Sequence, residues 1–228
     1  MSAVIDALPL LLRGAWLTVQ LTVYGAVLAL VLALAAGLMG VSQSRAVRAV
    51  GRVYVEFFRG TASLVLMFWL FYALPLVGFR LAAMFAGVLA LGLNVGAYGA
   101  EVVRGAINAV PRTQVEATVA LNMTSAQRMR LVILPQAIAM MLPSFCNLLI
   151  ELLKGTAVVS LISLSDLTFR AQQIRGATGE TAVAFGLALV MYFVISQVLA
   201  SGMRAAERRA NAMLGRAPAR TTSGKVAA

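Results

Sequence analysis

Three carboxylate–cation pairs stand at i, i+3 spacing within or beside long uncharged stretches: Glu56 with Arg59, Glu101 with Arg104, and Glu151 with Lys154. Residues three apart share a face of an α-helix, so each pair can cancel its own charge. Two readings fit: structural ion pairs inside a helix bundle, or matched charges along a path for a zwitterionic solute. Bond-making chemistry has few candidates. The chain has no histidine and one cysteine, Cys146, set in the apolar stretch 138–150. That excludes His-dependent catalysis, His/Cys zinc sites and an intrachain disulfide, and Cys146 reads as a small packing residue. No G-x-x-x-x-G-K-[ST] phosphate loop occurs in the sequence, so the chain is expected to have no catalytic residues, metal or cofactor of its own.

The polar segment 101–127 is too polar to span a membrane and too patterned for a slack loop. Thr113 and Glu116 have the T-x-x-E spacing of a capping box, which predicts a short helix over about 113–122. Asn122 suits the left-handed residue that ends it. Thr124 and Gln127 form a second box, and Pro135 follows the apolar run 131–134, so a bend is expected where the next helix enters the bilayer. The short helix would expose Val115 and Val119.

These segments need a scaffold, and the composition says which. Of 228 residues, 61% are hydrophobic and 12% charged, against roughly 45–50% and about 25% in soluble domains. Uncharged runs cover 16–41, 60–79, 81–100, 131–150 and 181–203, each close to the roughly 20 residues that cross a bilayer as helix. The expectation is an all-α polytopic membrane protein with about five spans. In that setting an ionisable group at bilayer depth costs about 2.5–3.5 kcal/mol unless it faces protein or water. Thr18, Gln20 and Thr22 are expected to bond neighbouring helices, Gly92 and Gly96 to let helices approach, Trp16 to anchor at an interface and Trp69 to pack against a helix.

The net charge of +11 lies beside the spans and not in an aromatic-interleaved basic domain, which favours anionic lipid and topology over nucleic acid. Arg45, Arg48 and Arg52, then Arg104, Arg112, Arg128 and Arg130, then Arg204, Arg208, Arg209, Arg216, Arg220 and Lys225 collect on one side. Arg13, Arg80, Arg170 and Arg175 fall on the other. The positive-inside bias puts the N-terminal segment 1–14 outside and the tail 206–228 in the cytosol, and the tail is expected to be disordered because its stretch from Arg216 to Gly224 has no apolar periodicity.

Glu116-Ala117-Thr118, Leu121-Asn122 and Ile133-Leu134-Pro135 resemble the EAA motif of ATP-binding-cassette (ABC) importer permeases. Phe57-Phe58-Arg59-Gly60-Thr61, the stretch from Tyr98 through Glu101 and Arg104 to Gly105, and Leu152-Leu153-Lys154-Gly155-Thr156 resemble the polar amino-acid branch, whose solutes include histidine, glutamine, arginine, opines and ectoine. Thr118 stands where Ala is usual, Asn122 where Gly is usual and Gly155 where Asp is frequent. The likeness runs over about 12–205, a permease domain expected to occupy 15–205.

The resemblance implies a type I importer permease in the bacterial inner membrane. Glu116, Ala117, Thr118 and Asn122 would belong to a coupling helix docked on a separate ATPase dimer, which would hold ATP and magnesium. A second permease, identical or related, and an extracytoplasmic solute-binding protein would complete the importer. Glu56 and Arg59 would lie near the cytosolic gate, and with Tyr98, Glu101, Arg104, Glu151 and Lys154 they are the candidates for the solute path. The alternative, a carrier driven by an ion gradient, commonly shows internal repeats, and five unequal spans show none.

Overall fold

In hydrocarbon every backbone N–H and C=O must be satisfied by the chain itself, and a helix does this within one segment. The computed structural model describes residues 2–213, with side chains for 8–212, and no strand occurs among them. The expected tail beyond residue 213 lies outside the described residues.

The first helix, α1, covers Ser2–Gly40, and its stretch Leu8–Gly40 is long and apolar enough to cross a membrane. The expected outer segment 1–14 is therefore largely part of this helix. Two further crossing helices are α4, Ala83–Asn108, and α9, Thr181–Met213. Because α9 continues to Met213, the first residues of the expected tail are helical. A fourth crossing, Ser125–Ile162, is composite. It begins as α6, Ser125–Arg128, widens into a π-helical turn at Met129–Ile133, continues as α7, Leu134–Gly155, and tightens into a 3-10 turn at Thr156–Ile162. The bend expected at Pro135 takes the form of the π turn, in which the Leu134 N–H reaches the Met129 carbonyl. Pro135 has no N–H to offer the carbonyl one α-turn back, so the ladder is reset there.

The fifth expected span is not one straight helix and departs from the run 60–79. Helix α2, Arg45–Gly60, and helix α3, Ser63–Phe68, are separated by extended backbone at Thr61 and Ala62, and the two arms meet at 97°. The second arm continues through a π turn, Trp69–Ala73, and a 3-10 turn, Leu74–Val77. Freed carbonyls at the corner need donors. Asn94 of α4 supplies them: its Nδ2 donates to the Phe58 carbonyl (2.7 Å) and to the Thr61 carbonyl (3.0 Å). Tyr54 ties the same pair of helices, donating its hydroxyl to the Leu93 carbonyl at 2.9 Å.

Small residues let α1 and α4 run in close contact. A Cβ on Gly92 would come 2.7 Å from Leu28 Cδ2, and one on Gly96 would come 2.9 Å from the Tyr54 hydroxyl and 3.0 Å from Leu32 Cβ. The G-x-x-x-G pair thus serves packing within this chain. Ala29, Ala33 and Ala36 on α1 and Ala90, Val95 and Ala100 on α4 are buried along the same pair of helices. Trp16 is largely exposed, as an interfacial anchor requires, and Trp69, expected to pack against a helix, is 56% exposed within this chain. It is the first residue of the π turn Trp69–Ala73.

Candidate functional site

The short helix appears as α5, Arg112–Ala120. Its start corrects the sequence reading: Pro111 precedes the first turn with φ −55°, no side chain caps it, and the Thr113–Glu116 box is absent. Pro fixes the φ that a helix needs at its beginning, so the helix starts one residue early and Thr113 falls inside the first turn, where it cannot act as cap. The far end matches expectation. Asn122 sits at φ 54°, and the Thr124 box forms: the Gln127 N–H donates to Thr124 Oγ1 (3.3 Å) and the Thr124 N–H donates to Gln127 Oε1 (2.9 Å).

One face of α5 is held and the other is free. Thr118 is buried and donates to the Val115 carbonyl at 2.6 Å. Val115 is half-buried against the cluster of Val103, Ile107, Val110, Ile133 and Ala137, so it is not the exposed partner of Val119 that the spacing suggested. The buried Thr118 marks the face that meets the π turn Met129–Ile133, and by the helical period Val115 lies nearer to that face than Val119 does. Gln136 Nε2 on α7 donates to Gln114 Oε1 at 2.7 Å. Outward point Glu116, Ala117, Val119 and Leu121, the last 74% exposed. This is a short ledge with a carboxylate and apolar groups on its open side.

The charged pairs separate. Glu101 and Arg104 form the expected bridge at 2.6 Å. Glu56 does not bond Arg59: it lies 4.0 Å from Arg52, while the Arg59 guanidinium sits 5.4 Å from the Tyr98 ring centre. Residues at i, i+3 and i, i+4 compete for one partner, and the aromatic face offers Arg59 another. Glu151 and Lys154 are both exposed and form no ion pair within 4.0 Å among the described residues. Of the three spacings, one is a bridge and two are not.

Glu56, Arg59, Glu101 and Arg104 nevertheless come together, with Tyr98 beside them. They line a recess of about 500 Å³ among α1, α2 and α4, joined by Arg48 and Arg52. Glu151 and Lys154 do not belong to it.

Over residues 25–211 the sequence matches the family described as "Binding-protein-dependent transport system inner membrane component". The chain belongs to this family. It is the membrane-spanning permease subunit of an ABC importer, which sets aside the ion-gradient carrier. A probable amino-acid ABC transporter permease, y4tF of Sinorhizobium fredii (strain NBRC 101917 / NGR234), is 49% identical over 86% of this chain and 84% of its own. The arginine transport system permease ArtQ of Bacillus subtilis (strain 168) is 34% identical over 91% and 95%. The fold is similar to a chain of the crystal structure of an amino acid ABC transporter with histidines, at TM-score 0.84 and 35% identity over 90% of this chain and 96% of that one.

The permease also contains a polar node that no motif announced. Helix α8, Leu167–Thr178, is capped by Asp166, whose carboxylate accepts from the Thr168 N–H (3.1 Å) and the Phe169 N–H (2.9 Å). The Tyr192 hydroxyl on α9 donates to the same carboxylate at 3.2 Å, and Thr168 Oγ1 lies 3.0 Å from that hydroxyl. On α1, Thr18 Oγ1 accepts the Leu167 N–H at 3.1 Å. Asp166 and Thr18 have no exposed surface, and burial holds the Asp166 carboxyl above the usual carboxylate range. Thr18 was expected to bond a neighbouring helix and bonds the start of α8. The local signal for Asp166 is an Asp before an apolar residue at a helix start. Its link to Tyr192, 26 residues away, has no sequence signal.

Proposed function

We propose that this permease passes a polar amino acid or a related small zwitterion, driven by a separate ATPase docked on α5. The solute class rests on the relatives, described as amino-acid and arginine permeases at 49% and 34% identity. The coupling role rests on one observation above the others: Glu116 and Ala117 occupy the open side of a helix whose opposite side is fixed to α4 and α7. A ledge of this form can be pushed by a partner and pass the displacement on, because packed helices move as bodies.

In this reading ATP and magnesium belong to the ATPase dimer, a solute-binding protein delivers from outside, and a second permease completes the path. The arginine distribution favours an outer N-terminus and a cytosolic α5. Glu116, Ala117, Thr118 and Asn122 form the coupling element, with Thr118 buried as its root and Asn122 as its corner. The solute leaves past Tyr98, Arg59, Glu56, Glu101 and Arg104, whose mixed charges suit a carboxylate and an ammonium, and Glu151 and Lys154 serve the same path elsewhere.

The decisive experiment is Glu116→Lys in the assembled importer. The permease is expected to insert and dimerise normally, because an exposed substitution stays within about 0.5 kcal/mol, while ATPase co-purification weakens and hydrolysis uncouples from uptake. Full ATPase association with normal uptake would remove α5 as the coupling element.

A further inference from the structure

Helix α7 carries a polar stripe at a depth where lipid would demand apolar surface. Pro143, Asn147, Glu151 and Lys154 follow one another at steps of four, four and three residues, and all four are exposed. Steps of this size keep to one helical face. Leu152 and Leu153, between the two charges, point the other way and are each 1% exposed.

Packing fixes the depth of the stripe. A Cβ on Gly25 would lie 3.4 Å from Leu152 Cδ2, and Gly25 stands near the middle of the crossing stretch Leu8–Gly40. A Cβ on Gly155 would lie 3.2 Å from Leu91 Cδ2, inside the crossing helix Ala83–Asn108. Glu151 and Lys154 therefore sit near mid-bilayer and not at its edge. The exposed faces of α1 and α9 show what lipid accepts, with Val23, Val27 and Leu30 on one and Leu189, Phe193 and Val194 on the other. A carboxylate and an ammonium are costly at that depth unless they face protein or water. Neither has an ion-pair partner among the described residues.

The charges on this face complement a copy of themselves. Two copies inserted in the same direction close about a two-fold axis along the membrane normal, so their α7 helices can meet in parallel at one height. The stripe carries one negative and one positive group about 4.5 Å apart along the helix axis. Long side chains span that offset diagonally, so each glutamate reaches the lysine of the other copy and all four charges are matched.

We propose that a second copy of this chain seats on the α7 stripe, with Glu151 of each copy paired to Lys154 of the other. The inference rests on the proposed function for the presence of a second permease. It gives Glu151 and Lys154 a task on the solute path: they join the two halves of its wall at mid-depth.

The test uses the complete importer, with ATPase and binding protein, and two differently tagged copies of the permease. Glu151→Lys makes both charges of the stripe positive, and Lys154→Glu makes both negative. Either variant alone sets like charges against each other across the seam, and co-purification of one tag with the other should fall about tenfold or more. Expressing the two variants together restores both reciprocal pairs, so mixed dimers should return to near the parent yield. A second measurement covers a reversed charge that hinders insertion. In a Cys146→Ala background, copies carrying Glu151→Cys and Lys154→Cys should join through a short bis-thiol linker, whereas Glu151→Cys and Val190→Cys, on the exposed face of α9, should not.

Parent-level dimer from either variant alone, with uptake lost, would give both charges to the solute and overturn the seam. Cross-linking no stronger than in the α9 control would do the same. Failure of the two tagged parent copies to co-purify would exclude a second copy while leaving a related permease as the partner that the proposed function needs. None of these results bears on α5, which Glu116→Lys tests separately.

Discussion

The Asp166 node and the α5 loop, both built around short helices between spans, hold their helices in opposite ways. At the node, α8 and α9 donate to a carboxylate with no exposed surface while Thr18 of α1 accepts the Leu167 N–H, so the start of α8 is held from three elements. Even the backbone is close: a Cβ on Gly14 of α1 would lie 2.8 Å from the Asp166 carbonyl oxygen. At the loop, α5 buries Thr118 and half-buries Val115, and one side-chain hydrogen bond, Gln136 to Gln114, joins it to α7 among the described residues. Buried satisfied polar groups are costly to disturb, whereas a lightly held exposed helix keeps surface for a partner. The node is a fastener and the loop is a contact.

If that contrast is right, substitutions at the node cost stability and those at the loop cost coupling. The largest effect is expected for Asp166→Ala, which removes the cap and takes one partner from the Tyr192 hydroxyl, leaving it Thr168, at about 1–2 kcal/mol in the unfolding of the purified permease. Asp166→Asn keeps an acceptor for the cap and should lose far less. The raised pKa of Asp166 fixes the sign of a pH effect. A carboxyl favoured as the acid in the folded state contributes stability that is full below its unfolded pKa and declines as pH rises through its folded pKa. The stability of the parent relative to Asp166→Asn should therefore rise as pH falls from neutral toward the acid range. A flat difference would mean that the node is not desolvated.

Next in size is Asn122→Val. A β-branched residue at φ 54° is strained by about 1–2 kcal/mol, and Asn122→Gly is expected to be neutral. Loss of coupled uptake with Val and its return with Gly would place the corner geometry in the coupling element. A smaller effect is expected for Gln136→Leu, about 0.5–1.5 kcal/mol from one partly exposed hydrogen bond. Its sharper readout is ATP hydrolysed per solute imported: a rise with ATPase association intact would identify the Gln136–Gln114 link as a transmitting contact. Smallest of all is Glu116→Gln, below about 0.5 kcal/mol in stability, with ATPase affinity as the quantity that should move. A large stability loss there would erase the distinction between the two regions.

Much of this permease was legible in order along the chain. The apolar runs located the crossings, and the Thr124–Gln127 box and the left-handed Asn122 were readable because caps act over three or four residues. The neighbouring Thr113–Glu116 box failed for an equally local reason, Pro111, which offered an earlier start. The 97° corner was invisible because its carbonyls are satisfied by Asn94, more than thirty residues away.

The sequence by itself determined that the chain crosses a membrane, roughly where it does so, and which loop carries the family motif, since hydropathy and capping depend on residue type and short spacing. Tertiary structure decided the partners of each charge. It paired Arg104 with Glu101, turned Arg59 to Tyr98 and Arg52 toward Glu56, left Glu151 and Lys154 apart, and gathered Asp166, Thr18 and Tyr192. A charge at bilayer depth takes whatever neighbour the packing of helices brings within a few ångströms, and that neighbour is chosen by the bundle, not by the spacing along one helix.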